Sequence, residues 1–251
     1  MGVLSPRMTD PPGMPARQFE PTRWSLVLRA RAGDDAQRRQ ALEDLCRAYW
    51  YPLYAFLRRT GRGVEDAQDL TQDFFARLLQ GNLLASADPG KGKFRTLLLA
   101  ALKHLDLDAW KSARTEKRGG RMEFIFLDHE SAEQRWLADA SFVGTPEAAF
   151  DRAWAMEVMD RAGRRLRADY EGKSALLEAL LPRLTGGGTE PLAEVGVRLG
   201  MSEAAVKMAL SRLRRHFGDT LRAEILETVG SHADIQDELR YLLTAFSQEP
   251  R

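Results

Sequence analysis

The strongest constraint on the fold lies in residues 191–217, where two helical patterns are separated by one glycine. The second pattern has apolar residues at spacings of four, three and four, which defines one face of a helix: Val206, Leu210, Leu213 and Phe217. A shorter apolar stripe precedes it, at Leu192, Val195 and Leu199. Ser202 stands where a helix N-cap belongs, and Gly200 can adopt the positive φ of a tight turn. The pattern predicts a helix-turn-helix.

The opposite face of the second helix carries small side chains at its front and cations at its sides. Such a face suits a helix in the major groove, where base edges are read between the phosphates of the two walls. A solvated basic helix is the plain alternative, but the cap, the turn and both apolar stripes occur in register. The candidate DNA-binding residues are Ser202, Ala204, Lys207, Met208, Ser211, Arg212, Arg214 and Arg215.

Charge is distributed in bands, although the net charge of the 251 residues is only +1. Residues 95–121 contain seven Lys/Arg against three Asp/Glu, and residues 198–215 contain five against one. Between these basic segments, residues 123–151 contain seven acids and a single arginine. The bands predict two basic patches joined by an acidic connector. The hydrophobic content, 44% of the residues, is sufficient for two modest cores.

Residues 64–79 form an amphipathic helical pattern with an acidic stripe. One face is apolar, with Ala67, Leu70, Phe74 and Leu78, and is widened by Thr71 and Phe75. The opposite side carries Asp66, Asp69 and Asp73, with Gln72 at its edge. Taken alone, an acidic stripe on a helix is ordinarily a solvated face.

A further helix is predicted over residues 94–110, and a cationic run follows it. An aromatic side chain beside such a run can stack on unpaired bases, although a core role suits Trp110 equally well. The candidate nucleic-acid-binding residues here are Lys103, Trp110, Lys111, Arg114, Lys117 and Arg118.

The remaining patterns are also helical, so the expected fold is all-α. The predicted organisation is a disordered tail (1–21), a helical domain (22–121), an acidic linker (122–145), a second helical domain (146–230) and a C-terminal helical extension (231–251). Pro52 predicts a kink or break near Tyr51 in the helix that begins at Asp34. The extension carries Ile235, Leu239, Leu242, Leu243 and Phe246 as inward candidates. It can fold back on the helix-turn-helix, bind a regulator or complete a core, and the last is favoured.

Several classes of function lack their motifs. The last three residues of a phosphate-binding loop motif occur at Gly172, Lys173 and Ser174. The first glycine of that motif is absent, because its position is occupied by Arg167. The four histidines have no second ligand at metal spacing, and Cys46 has no cysteine partner. We therefore expect no enzyme, no cofactor and no metal. Without a signal peptide or membrane-spanning run, the expected location is cytoplasmic.

Three segments together resemble the extracytoplasmic-function (ECF) group of bacterial RNA polymerase sigma factors. DAQDLTQDFF, residues 66–75, is similar to the core-binding helix of region 2, D-A-E-D-L-V-Q-E-V-F, at six of ten positions. VKMALSRLRRHF, residues 206–217, is similar to the recognition helix of region 4, V-K-S-R-L-x-R-A-R. Ala209 replaces an arginine of that pattern and Leu213 a small residue. TRWSLVLRARAGD, FRTLLLAALKH, KRGG and ELRYLL look like a long subgroup with a C-terminal extension.

The resemblance implies a region 2 bundle and a region 4 helix-turn-helix joined by the acidic linker. It gives Asp66, Asp69, Gln72 and Asp73 a partner in the β′ coiled coil of core RNA polymerase. The helix-turn-helix would read the −35 element, with the β flap as its contact on the polymerase, and residues 103–121 would hold the −10 element. An anti-sigma or other regulatory protein is a further partner, and no membrane is involved. The alternative is a stand-alone helix-turn-helix regulator, which predicts a dimerisation surface on helix 233–246.

Overall fold

The computed structural model describes residues 34–80, 93–112, 129–139, 141–184, 186–226 and 235–247, with isolated positions 27, 30, 84, 87 and 88. Over these ranges the main elements are helices: α1 (Asp35–Arg59), α2 (Val64–Leu79), α3 (Phe94–Ser112), α4 (His129–Ala138), α5 (Pro146–Asp169), α6 (Ser174–Leu180), α7 (Leu192–Leu199), α8 (Glu203–Leu226) and α9 (Ile235–Ser247). No strand occurs among the described residues, and the all-α prediction is confirmed.

Helix α1 begins at an aspartate cap and continues through its proline. The Asp34 carboxylate accepts hydrogen bonds from the amides of Ala36 (3.0 Å) and Gln37 (2.9 Å). Pro52 lies within the helix, and all residues from Ala48 to Leu57 are buried. Of the predicted kink or break near Tyr51, the break is wrong, because one helix runs from Asp35 to Arg59. The lost backbone hydrogen bond is compensated by packing on both sides of the proline.

The larger core is shared by both predicted domains. Helix α5 packs along α1, and the C-terminal parts of α8 and α9 close the same cluster. Its largest fully buried side chains include Trp154, Tyr49, Tyr54, Phe75, Phe94 and Phe150. Trp154 and Phe150 come from the second predicted domain and the others from the first. The domain boundaries remain predictions, but the packing runs across the linker.

A smaller core supports the α7–α8 pair. It consists of Leu166, Leu177, Leu180, Val195, Val206, Leu210 and Leu213. The long helices α5 and α8 each contribute to both cores, because Leu221 and Ile225 of α8 lie in the larger one. The α7–α8 pair is thus joined to the rest of the molecule through two continuous helices rather than through a loop alone.

Helix α4 lies within the predicted acidic linker. Ala132 is buried among its described side chains and Trp136 packs partly buried against the larger core, while the other contacts are polar or cation–π. Glu133 accepts from Arg58 at 3.2 Å and from Tyr54, and Arg135 lies 2.6 Å from Glu157 of α5. Because these contacts leave no apolar period, the sequence pattern gave no indication of a helix here.

One inward prediction is wrong. Leu243 of α9 is 61% exposed. Leu242 is buried as predicted, and Ile235 and Leu239 pack partly buried against the larger core. Glu238 and Ala245, which the predicted set did not include, are buried as well. The favoured reading, that this helix completes a core, is confirmed by its packing against the larger core, whereas the Phe246 side chain lies outside the described residues.

Candidate functional site

The turn between α7 and α8 has the geometry that the sequence indicated. Gly200 adopts φ +64°, and the Ser202 hydroxyl accepts from the Ala205 amide at 3.2 Å, so both predictions are confirmed. Gly196 was missed. A Cβ at this position would lie 2.6 Å from the Met201 carbonyl oxygen, and the Met201 amide donates to the Gly196 carbonyl at 2.8 Å. This close approach of the two backbones fixes how α7 crosses α8.

Replacing Ser202 by alanine should lower the free energy of unfolding by about 1 kcal/mol, because a first-turn amide of α8 loses its acceptor. Chemical denaturation measures the change. Ser211→Ala is the matched control, since Ser211 is exposed in the middle of the same helix. Equal effects of the two substitutions would show that the Ser202 cap contributes nothing.

The outward face of α8 is open to solvent. Every residue predicted to bind DNA here is exposed: Ser202, Ala204, Lys207, Met208, Ser211, Arg212, Arg214 and Arg215. Lys207 pairs with Glu203 at 2.6 Å, one turn away, and both side chains are about half exposed. Ala209, which replaces the arginine of the family pattern, is partly buried against the smaller core. The departure therefore lies on the packing side of the helix.

A shallow pocket lies at the middle of α8. It is lined by Arg212, Arg215, His216 and Asp219. His216 Nε2 lies 2.6 Å from Asp169 Oδ2 at the end of α5, and its ring meets Tyr170 edge-on at 5.7 Å. These contacts fix the end of α5 against α8, and the pocket presents two guanidinium groups together with the carboxylate of Asp219.

The acidic face of α2 is exposed on the opposite side from its packing face. Ala67, Thr71, Phe74, Phe75 and Leu78 are buried, as predicted. Asp66 and Asp69 are exposed and have no ion-pair partner among the described residues. Asp73 pairs with Arg77 at 2.9 Å, where both side chains are about half exposed. Gln72 is partly exposed at the edge. The helix thus brings these four residues onto one surface.

The candidates on α3 are divided between two environments. Trp110 is 55% exposed, and the Arg62 guanidinium lies 4.1 Å from its ring centre. Lys103 lies 2.6 Å from Glu147 in the first turn of α5, so its charge is compensated within the chain. The hydrogen bond from Lys103 is the main cause that lowers the pKa of Glu147. The Lys111 side chain, Arg114, Lys117 and Arg118 lie outside the described residues.

Arg62 is a functional candidate that the sequence analysis missed. Its side chain is buried and paired with Asp106 at 2.8 Å, and it donates to the Asp106 carbonyl at 3.1 Å. This pairing holds the guanidinium plane against one face of Trp110. An arginine between two glycines before α2 was the only available sequence signal, and it is weak.

The described part of the chain shows neither a metal site nor a membrane-spanning helix. No group of three or more His, Cys, Asp or Glu side chains there could hold a metal ion. Among the helices over the same ranges, none combines the length and the apolar character that crossing a bilayer requires. The candidate functional surfaces remain the acidic face of α2, the end of α3 and the outward face of α8.

Comparison with known proteins finds two similarities, both to RNA polymerase sigma factors. The sigma-70 region 2 model matches residues 45–116, which include most of α1 and all of α2 and α3. The ECF RNA polymerase sigma factor SigF of Caulobacter vibrioides (strain NA1000 / CB15N) is 28% identical over 201 residues, which covers 79% of this chain and 93% of the relative. No solved structure matches significantly.

These two matches support the sigma-70 family of RNA polymerase sigma factors. Within that family they support the ECF type and a role in promoter-directed transcription initiation. The family is not one of enzymes, and it implies core RNA polymerase and promoter DNA as partners. Assignment to a long subgroup with a C-terminal extension remains a prediction.

Proposed function

We propose that three surfaces divide the work of this sigma factor. The acidic face of α2 binds the β′ coiled coil of core polymerase, the end of α3 holds the −10 element, and α8 reads the −35 element while its domain contacts the β flap. One observation carries the proposal: the folded chain leaves the acidic face of α2 and the cationic face of α8 exposed together, although both helices bury their apolar faces.

Charge supports the role of α2. Asp66 and Asp69 are uncompensated by ion pairs within the described chain, so a basic partner gains their attraction without breaking an internal contact. The Asp73–Arg77 pair is exposed, and such pairs contribute little to stability. Asp73 can therefore exchange Arg77 for a cation of the polymerase. Complementary charge of this kind favours rapid association and the correct partner.

Shape and charge support the role of α8. Its front carries the small side chains of Ala204 and Ser211 and the unbranched Met208, so the helix can approach base edges closely. Its cations lie on both sides, where the phosphates of the two groove walls lie. The cap at Ser202 and the close contact at Gly196 fix the entry angle.

The Arg62–Trp110 stack supports the role of α3. One ring face is covered by a buried guanidinium, while more than half of the side chain is open to solvent. A rigid aromatic ring beside a cationic segment is a platform for an unpaired base, worth about 1–3 kcal/mol per stacked base. This arrangement suits a strand that has lost its pairing better than an intact duplex.

The position of α9 weighs against a stand-alone regulator. That alternative needs α9 as a dimerisation surface, but Glu238, Leu242 and Ala245 face the protein's own core. A sigma factor instead carries two weak DNA-binding surfaces on one chain. Once the first surface has bound DNA, the effective concentration of the second surface at its own element rises. We further propose that the protein is non-catalytic, acts in the cytoplasm and is open to control by an anti-sigma or other regulatory protein.

Replacing Arg215 by glutamine should reduce the salt dependence of promoter binding by the holoenzyme. The slope of log K against log salt concentration should fall by about 1, because one fewer phosphate is neutralised. Fluorescence anisotropy across a salt series measures the slope. Arg222→Gln is the matched control, since Arg222 lies on the same helix beyond the proposed DNA contact and pairs with Asp219. A slope unchanged by Arg215→Gln would remove Arg215 from the interface.

Co-elution with core polymerase tests the proposed function. The purified chain should elute with core enzyme in gel filtration at physiological salt, and the resulting holoenzyme should bind promoter DNA more tightly than either component. A chain that binds DNA specifically by itself and does not co-elute with core polymerase would instead be the stand-alone regulator.

A further inference from the structure

Met208 is an apolar side chain on the outward face of α8, where the other residues are small or charged. Its side chain is 56% exposed. Over residues 203–226, all of which the structure describes, it is the one large apolar side chain that is exposed. The apolar face of the same helix is buried against the two cores. Met208 therefore contributes little to the packing of α8.

The neighbouring side chains leave Met208 uncovered. Long side chains on a helix lean toward its N-terminus, so Met208 lies over Ala204 and Ala205, one turn earlier. The methyl groups of these alanines are too short to cover a thioether. Lys207, the preceding residue, pairs with Glu203 at 2.6 Å on the flank of the helix. Met208 thus projects from the front of α8 as the longest of the uncharged side chains there.

Cations accompany Met208 along the same face. Arg212 lies one turn after it and Arg215 two turns after it, and both are exposed. A single exposed methionine on a surface is ordinary and requires no partner. Here, however, the cations attract the phosphates of the two groove walls. Binding of DNA by these cations would bury Met208 against the floor of the major groove.

The chemistry of the thioether restricts what it can contact in the groove. Methionine has no hydrogen-bond donor, and its sulfur is a weak acceptor. Most groups on the base edges are donors or acceptors, and such a group loses its water without replacement when an apolar side chain covers it. The exception is the C5-methyl group of thymine, which gains from burial. Among the four bases, thymine is therefore the one that suits Met208.

We propose that Met208 reads the C5-methyl group of one thymine in the −35 element. At that position the protein prefers thymine through an apolar contact, while Arg212 and Arg215 hold the helix in the groove through phosphates. The recognition-helix pattern V-K-S-R-L-x-R-A-R has serine at this position, and serine can hydrogen-bond to more than one base. The preference is thus a property of this chain. The inference rests on the proposed function, which brings α8 to DNA.

Removal of one methyl group from the DNA tests the contact. A −35 element is first selected from a randomised library by holoenzyme made from core polymerase and the purified chain. Each thymine of the selected element is then replaced, one at a time, by deoxyuridine, which lacks the C5-methyl group and keeps every hydrogen-bonding group. Competition binding measures the ratio of the two affinities. At one position the thymine duplex should bind about fourfold more tightly, as expected for burial of one methyl group.

Variants of the protein assign this ratio to Met208. Met208→Ser should abolish the difference between thymine and deoxyuridine at that position, because the apolar surface that the methyl group contacts is gone. Met208→Leu keeps an apolar side chain of similar volume and should retain most of the difference. Leu243→Ser is the matched control, because it removes a side chain that is 61% exposed from α9, and it should leave the ratio of the wild type unchanged. Both positions are exposed, so circular dichroism should give the same helix content for all four proteins.

Two results would overturn the proposal. One is a selected element that contains no thymine, or that binds equally well with thymine and with deoxyuridine at every position. The other is a methyl preference that persists in Met208→Ser, which would assign the methyl group to a different side chain.

The same design separates this inference from the proposed function. If the chain fails to bind core polymerase, the element is selected by the chain alone, and the same replacements decide whether Met208 reads a methyl group. A methyl preference that is lost in Met208→Ser would then support the contact and refute the sigma-factor role. A chain that binds DNA neither alone nor with core polymerase would refute both.

Discussion

Changing Asp69 and Asp73 together to lysine is expected to abolish association with core polymerase. Both carboxylates lie on the outward side of α2, so the substitutions do not enter the larger core. Each reversal replaces an attraction to a basic partner by a repulsion, and like charges across an interface cost several kcal/mol. The affinity for core enzyme should fall by more than about 100-fold, which 2.7 kcal/mol already produces. Titration of labelled core polymerase measures it.

A second double variant controls for net charge. Asp160→Lys with Asp237→Lys makes the same change at two exposed positions, 59% and 73% exposed, on α5 and α9. It should bind core polymerase as the wild type does, and circular dichroism should give the same helix content for all three proteins. Retained binding by the Asp69/Asp73 variant would refute the assignment of α2 to the polymerase.

Trp154→Ala is expected to have the largest effect on stability. Trp154 is 1% exposed at the point where α5 packs on α1, and Arg95 stacks on its ring. Truncation should lower the free energy of unfolding by about 3–5 kcal/mol through lost burial and the cavity left behind. Because the larger core is shared, the α1–α3 bundle and α9 should lose stability together. Denaturant unfolding followed by hydrogen exchange measures both effects.

The controls separate burial from aromatic character. Trp154→Phe keeps most of the ring volume and removes an indole Nε1 that has no acceptor among the described residues, so its cost should be much smaller. Trp110→Ala removes an exposed tryptophan and one cation–π contact, worth about 0.5–1 kcal/mol. Loss of stability confined to the α7–α8 pair in Trp154→Ala would contradict a shared core.

Local features of the fold could be predicted from the sequence because their causes are local. The Ser202 cap, the Gly200 turn and the apolar face of α2 depend on residues within a few positions of one another. Helix α4 could not be predicted in the same way. Its position is set by contacts of Glu133 and Arg135 with α1 and α5, and such contacts leave no period in the sequence.

The buried ion pairs of Glu238 with Lys93 and Arg95 show a second limit. Glu238 occupies an inward position of α9. A charged residue is not expected at such a position from the sequence, because its buried partners cannot be recognised there. Those partners, Lys93 and Arg95, are distant in sequence and lie at the start of α3, where basic side chains would ordinarily be solvated. Leu243 was predicted to face inward from the apolar spacing alone. The buried face of α9 is rotated away from it, toward Glu238 and Ala245.

The roles proposed for the three surfaces rest more on the resemblance to sigma factors than on geometry. An acidic face such as that of α2 has the same exposure whether it is solvated or binds a partner, so the structure alone does not single it out. The outward face of α8 is more specific, because small front residues and flanking cations occur on a capped helix after a glycine turn. The Arg62–Trp110 stack could not be predicted from the sequence, since the two residues are brought together only by the packing of α2 and α3.

The most direct test of the central claim is run-off transcription by core polymerase on a randomised promoter library, with and without the purified chain. We expect initiation that depends on the chain, from templates that share two sequence blocks at a constant spacing. The Asp69/Asp73 variant should remove this initiation. Transcription no greater than that of core polymerase alone, or enrichment of a single operator block bound without polymerase, would contradict the assignment as a sigma factor.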